Sequence, residues 1–210
     1  MALLAIIATG AFAQGFPFPM SAGGGLLFDW SGNNGVEMKS GGNSGYVGLR
    51  NLSFGGYGFF DATYAELDVS FAYGSITGFS EVRGNKETED GGRVVQLGFS
   101  LLGKYPLDWN GFTIFPLLGF DYNVVLSWKD KDGKAEDKPG DLNQFGILAG
   151  AGLDYPLDFI SSALFLRGEV MFHLRLPCKG MKDIASRLGS GTDATFGVGP
   201  RIKIGVGYMF

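Results

Sequence analysis

The stretch "ATFGVGPRIKIGVGYMF", residues 194–210, decides the fold. Every second residue from Phe196 is uncharged: Phe196, Val198, Pro200, Ile202, Ile204, Val206, Tyr208 and Phe210. The intervening residues are Gly197, Gly199, Arg201, Lys203, Gly205, Gly207 and Met209, small or cationic apart from the methionine. A period of two marks a strand, because successive side chains leave opposite faces of the backbone. One face suits an apolar surrounding, and the other combines charge with empty space. Which face points inward settles the architecture.

The alternation recurs upstream. In 163–176, Leu164, Leu166, Val170, Phe172, Leu174 and Leu176 oppose Arg167, Glu169, Met171, His173 and Arg175. In 112–128 the apolar face runs from Phe112 through Leu118 and Phe120 to Trp128, opposite Thr113, Gly119, Asp121, Asn123 and Ser127. Leu67, Val69, Phe71 and Tyr73 oppose Glu66 and Asp68. Segments 18–30, 95–105 and 145–155 behave alike, and 53–64 is the weakest, with Tyr57 and Phe59 on one face and Phe54 and Phe60 on the other. The pattern predicts eight strands, most longer than the usual 5–6 residues. Long polar connections at about 31–50, 82–92, 129–143 and 177–193 alternate with short ones near 61–66, 105–111 and 155–162.

Composition agrees. The chain has 36 Gly and 19 Phe in 210 residues, with only 18% charged. Disordered Gly-rich chains lack the aromatics, and helices lose about 1 kcal/mol per Gly relative to Ala. A net charge of −4 with mixed signs leaves no basic footprint for nucleic acid. Cys178 is the only cysteine, so no internal disulfide, structural metal site or cofactor is expected. The start, "MALLAIIATGAFAQ", has an apolar run and an A-x-A site at Ala11–Ala13, and reads as a signal peptide over 1–13 with the barrel domain over 14–210. It lacks a basic leading region, as would be expected if the true start lay upstream.

An even number of antiparallel strands with long connections at one end and tight turns at the other is the layout of a transmembrane β-barrel. Closure satisfies every backbone group, where an open edge in lipid would cost several kcal/mol per unpaired group. A soluble barrel would turn the apolar face inward, but that leaves the long loops and terminal aromatic unexplained. The predicted fold is an all-β, eight-stranded, antiparallel up-and-down barrel. Its lumen would hold Glu66, Asp68, Asp121, Arg167, Glu169, His173, Arg175, Arg201 and Lys203 as ion-pair or gate residues, with Gly making room. Trp30, Tyr105, Trp109, Trp128, Tyr155, Phe159 and Tyr208 would mark the membrane–water interface.

The ending "IGVGYMF", the strand–loop rhythm and the leader together resemble the small eight-stranded outer-membrane barrels, namely the membrane domain of outer-membrane protein A and the X and W types. The resemblance covers nearly all of 16–210. It implies outer-membrane localisation with both termini periplasmic, a lipid surround, and recognition of Phe210 by the barrel assembly machinery. A monomer is expected.

Three motifs invite sharper chemistry. His173 is the only histidine and would be the base of a lipid-modifying barrel, but resemblance to deacylase barrels calls for His-x-Ser, and here His173-Leu174-Arg175 stands on the lumen side. "KDKDGKAED" at 129–137 misses the Ca²⁺-loop spacing: Lys134 falls where a carboxylate is needed, and Gly133 comes early. The doublets Gly150/Gly152, Gly197/Gly199 and Gly205/Gly207 lack the strand-to-helix context of a nucleotide loop. The sequence therefore points to a non-enzymatic barrel, structural or passing small solutes or ions. The alternative is a surface adhesin or partner-binding barrel acting through an extracellular ligand on "SGNNGVEMKSGGNSG" or on a cationic cap at 177–193. A lipid enzyme ranks third.

Finally, "YPLDW" at 105–109 and "YPLDF" at 155–159 repeat one phrase. Both read as the end of a strand at the membrane edge: a proline stops the ladder, an aspartate suits the turn, and Trp109 or Phe159 starts the next strand.

Overall fold

The computed structural model describes residues 19–40, 43–82, 85–135, 137–188 and 192–210. The leader and Phe18 lie outside them. The described residues form ten strands: β1 (Ser21–Ser40), β2 (Asn43–Asp61), β3 (Ala65–Val82), β4 (Asn85–Lys104), β5 (Leu107–Trp109), β6 (Phe112–Lys129), β7 (Gln144–Pro156), β8 (Leu164–Arg175), β9 (Thr192–Ala194) and β10 (Gly197–Met209). A helix, α1 (Lys179–Leu188), follows β8. The pairing path runs β10-β8-β7-β6-β4-β3-β2-β1, and β1 pairs back onto β10, so the sheet closes on itself. All pairings are antiparallel. β5 and β9, three residues each, lie off this circuit.

The seam between β1 and β10 is laid glycine on glycine, with Gly23 opposite Gly207 and Gly25 opposite Gly205. It ends with the Phe210 amide donating to the Met20 carbonyl at 3.0 Å. Met20, at the start of the described residues, and the C-terminal Phe210 thus sit at the end of the barrel that carries the short turns.

The face expectation holds along the wall. On β10, Val198, Ile202, Ile204, Val206 and Tyr208 are exposed, while Arg201 and Lys203 are buried inside. On β6, Leu118, Phe120, Tyr122 and Leu126 face out, and Phe115, Leu117 and Asp121 face in. This is the inverse of a soluble barrel: apolar outside, charged inside.

Two of the long connections are corrected. The described residues of 31–50 and 82–92 are strand rather than loop. β1 and β2 stay paired from Val36 opposite Val47 to Ser40 opposite Asn43, and β9 adds to β1 at Val36 opposite Ala194. β3 and β4 stay paired to Val82 opposite Asn85, past a bulge at Ile76/Thr77. Gly, Asn and Ser dominate 31–45, so composition reads as loop while backbone pairing sets the structure. Val36 also anchors the extension by packing with Cys178, Met181 and Ala185 of the α1 region. The segment 177–193 is accordingly a helix and a short strand seated at this loop end. The connection near 129–143 does remain irregular, with one 3₁₀ turn at Pro139–Leu142.

The repeated phrase is also refined. "YPLDW" turns at Asn110 and Gly111, whose φ values of 48° and 89° are left-handed, so Trp109 precedes the turn and pairs with Phe112. "YPLDF" instead runs into a wider turn, with Ile160 and Ser161 amides donating to the Leu157 carbonyl. Tyr105 and Tyr155 are both exposed at the same end, so the phrases share a location while their turns differ.

Candidate functional site

The lumen is filled in layers. Nearest the turn end, Arg167 of β8 is fully buried. Its Nε and Nη2 donate to the two oxygens of Asp154 at 2.7 and 2.6 Å, Nη1 donates to Glu66 Oε2 at 2.5 Å, and Nη2 also donates to Asp61 Oδ2 at 2.7 Å. Lys104 shares the same Asp61 oxygen. The rings of Phe59, Phe115 and Phe165 surround the guanidinium, with centroids 4.3, 5.2 and 5.1 Å from Cζ. Cations placed over ring faces gain most where water is excluded. Room for these rings comes from glycine: a Cβ on Gly152 would lie 2.2 Å from the Phe115 ring, and one on Gly207 2.2 Å from Phe165. The inner glycines were expected to make room for the lumen charges; Gly146 does so for Asp121 and Arg175, while in this layer Gly152 and Gly207 accommodate aromatics.

One layer further in, Lys203 bonds Asp68 Oδ2 and stands 3.0 Å from Glu169 Oε2 and 3.8 Å from Glu66 Oε1. The Tyr57 ring lies 5.0 Å from its Nζ. Leu102, Leu117, Leu148 and Met171 form an apolar partition alongside.

Towards the loop end a second cluster forms. Arg201 donates to Asp29 Oδ2 at 2.6 Å and to Asp121 Oδ2 at 2.7 Å. Arg175 donates to Asp29 at 2.9 Å, and His173 Nδ1 lies 3.8 Å from the same oxygen. Asn123 donates to Asp121 at 2.5 Å. A cavity of about 30 Å³, room for about one water, lies among Ser31, Asn51, Gln96, Asn123 and Gln144. Ile76, Val94 and Val125 cluster beside it and pack with Leu142.

All nine lumen residues expected from the sequence point inward and are buried. They divide between the two clusters: Glu66, Asp68, Arg167, Glu169 and Lys203 in the first, and Asp121, His173, Arg175 and Arg201 in the second. The sequence reading left out Asp29, Asp61, Lys104 and Asp154 as site residues. Asp29 and Asp61 sit on inward positions of the first and second segments, and a stricter use of the period on those weak segments would have found them. Among the interface aromatics, Trp30, Tyr105, Trp109, Tyr155, Phe159 and Tyr208 are exposed. Trp128 is half-buried and its Nε1 donates to the Gly91 carbonyl at 3.0 Å, tying β6 to the β4 bulge. Phe210 is exposed, with its ring 6.4 Å from Phe60.

The acidic loop is a solvated turn in which the Asp132 and Lys134 amides donate to Asp130 Oδ1 at 3.0 and 2.8 Å. Lys131 reaches back to Glu89 at 2.9 Å, which raises the lysine and lowers the glutamate from their ordinary values. Cys178 is buried against α1, and burial pushes its thiol up.

No family model matches the chain, and no curated protein matches it. Among solved structures it is similar to the translocator domain of the autotransporter NalP from Neisseria meningitidis, at 15% identity and a TM-score of 0.31, covering 100% of this chain and 94% of that one. It is also similar to the beta domain of the Bordetella autotransporter Brka, at 11% identity and a TM-score of 0.30, covering 92% and 100%. Those scores are low, and the functional reading rests on the barrel itself.

Proposed function

We propose that this chain is an integral outer-membrane β-barrel whose eight long strands cross the bilayer, with β5 and β9 as appendages. The observation that carries the reading is the inverted wall, an exposed apolar belt around a buried ionic lumen. Its height supports it. From Val198 to Tyr208 the exposed face of β10 spans ten residue steps, which at about 3.4 Å each and a tilt of about 45° is about 24 Å. The apolar band of such barrels is about 25 Å tall. In the proposed orientation the turn end and both termini are periplasmic, and the paired hairpins stand outside. Phe210 then lies where the assembly machinery would meet it.

The role we assign is structural, with the lumen as a plug rather than an open pore. The two ion-pair clusters and the apolar partition support this, since small barrels fill their interiors with side chains. The reading is non-enzymatic: His173 lies among Asp29, Arg175 and Arg201 as part of a charge network. A second role, partner binding at the cell surface, is favoured by the hairpins β1–β2 and β3–β4, which stay paired as far as Ser40–Asn43 and Val82–Asn85 and present a continuous sheet. Two measurements test the proposal. The refolded chain should migrate faster on gels unheated than boiled, and it should show no discrete conductance steps in planar bilayers. Steady ion-selective steps would replace the plug with a pore, and failure to partition into liposomes would sink the membrane reading.

A further inference from the structure

The first lumen cluster is out of charge balance. Asp61, Glu66, Asp68, Asp154 and Glu169 face Lys104, Arg167 and Lys203, five carboxylates to three cations. The second cluster balances, Asp29 and Asp121 against Arg175 and Arg201. Asp154, 18% exposed, can hydrate, but the remaining excess carboxylate is out of contact with water, where uncompensated charge is costly and calls for a counter-charge.

The atoms show where it would sit. Each of three carboxylates uses one oxygen on a side-chain cation: Glu66 Oε2 on Arg167, Asp68 Oδ2 and Glu169 Oε2 on Lys203. The other oxygens, Glu66 Oε1, Asp68 Oδ1 and Glu169 Oε1, are buried and accept no hydrogen bond. The three side chains are at most 2% exposed. One oxygen of each lies within 4.8 Å of the others. Oxygens sharing a Ca²⁺ at 2.3–2.6 Å stand at most about 5 Å apart. At the turn end a cavity of about 250 Å³ is lined by Asp108, Thr113, Asp154 and Phe165. Asp154 is both part of its wall and a partner of Arg167.

We infer that Glu66, Asp68 and Glu169 bind one hard divalent cation, Ca²⁺ or Mg²⁺, inside the barrel. Lys203 enters from β10 and holds Asp68 and Glu169 by their far oxygens, while Arg167 holds Glu66 by its own, so these two cations and the metal complete one site. Arg167, Asp61, Asp154 and Lys104 form the adjoining layer towards the cavity. The ion supplies two positive charges, which balances the cluster. The site does not depend on whether the lumen conducts.

The test uses the full-length refolded barrel, stripped of divalent ions with a chelator. The solvated carboxylates of the 130–132 turn are first removed as competitors with Asp130→Asn and Asp132→Asn. Equilibrium dialysis of this loop variant against Ca²⁺ should retain one ion per barrel, and retention of none overturns the inference. Tb³⁺ in place of Ca²⁺ should show tyrosine-sensitised emission through Tyr57, displaced by added Ca²⁺. Adding Glu169→Gln should abolish retention and emission. A folded Glu169→Gln barrel that still retains the ion overturns the assignment. Should that variant fail to fold, the dialysis result on the loop variant decides alone.

Discussion

Arg167 offers the most demanding test of the lumen. Consider Arg167→Met, which keeps most of the side-chain volume and removes the charge. Four charge-assisted hydrogen bonds are lost. At about 1.5–3 kcal/mol each their simple sum, about 6–12 kcal/mol, would equal the whole stability of a typical domain. The structure shows why the sum is wrong. Asp154 has a side chain 18% exposed and can hydrate, and Asp61 keeps Lys104. Only Glu66, 0% exposed, is left without its hydrogen-bonding cation, with Lys203 no nearer than 3.8 Å. The cost should therefore be that of breaking one buried pair, about 3–5 kcal/mol. The assay is urea unfolding of the barrel in lipid vesicles, followed by fluorescence of Trp30, Trp109 and Trp128. The control is Lys86→Met, which removes an exposed 3.5 Å pair with Glu81 and should cost at most about 1 kcal/mol. If Arg167→Met unfolds within about 1 kcal/mol of the unmodified barrel, the lumen cluster does not hold the fold as argued. The double change Arg167→Met with Glu66→Gln should recover part of the loss, because it removes the orphaned charge.

The other predictions use the same unfolding curves or simple labelling. Val170→Lys puts a charge on the outer belt of β8 and should cost about 2–4 kcal/mol, whereas Phe159→Lys at the turn-end rim should cost about 0–1. Gly152→Ala drives a methyl into the Phe115 ring and should destabilise by about 1–3 kcal/mol, while Gly168→Ala meets nothing within 4 Å and should be near neutral. Cys178, buried and with its thiol pushed up, should react with maleimide many times more slowly in the folded barrel than in urea. On intact cells, trypsin should cut first after Lys131 or Lys134, both exposed in the irregular connection, and an uncut 129–138 segment would contradict the proposed orientation.

What the sequence made legible was the wall. Alternation in 115–123, 163–176 and 196–210 assigned inside and outside because burial there differs sharply between the two faces. It failed where side chains carry little burial signal. In 31–45, glycine, asparagine and serine serve loop and strand equally, and only cross-strand pairing to 43–51 decides. In 53–64 the alternation is weak for another reason: Tyr57 and Phe59 put aromatic rings into the lumen, packed over Lys203 and Arg167, so both faces of the strand carry aromatics. The lumen residues were found as inward positions, but their grouping was not. Glu66 and Arg167 lie 101 positions apart, and no local pattern reports that they meet.

The glycine seam between β1 and β10 has a consequence for how the barrel is made. Its pairing joins Ser21 to Met209, across nearly the whole chain. Closing a loop of that length costs about 5 kcal/mol of chain entropy. Gly23 against Gly207 and Gly25 against Gly205 offer no side-chain contacts to offset that cost at the turn end of the seam, so backbone hydrogen bonds must carry it there, and side-chain pairing begins only further along, up to Asp29 with Arg201. The seam should therefore be the last joint to form during assembly and the first to part under load. A crosslink placed across it would speed completion, and one placed across any hairpin would not.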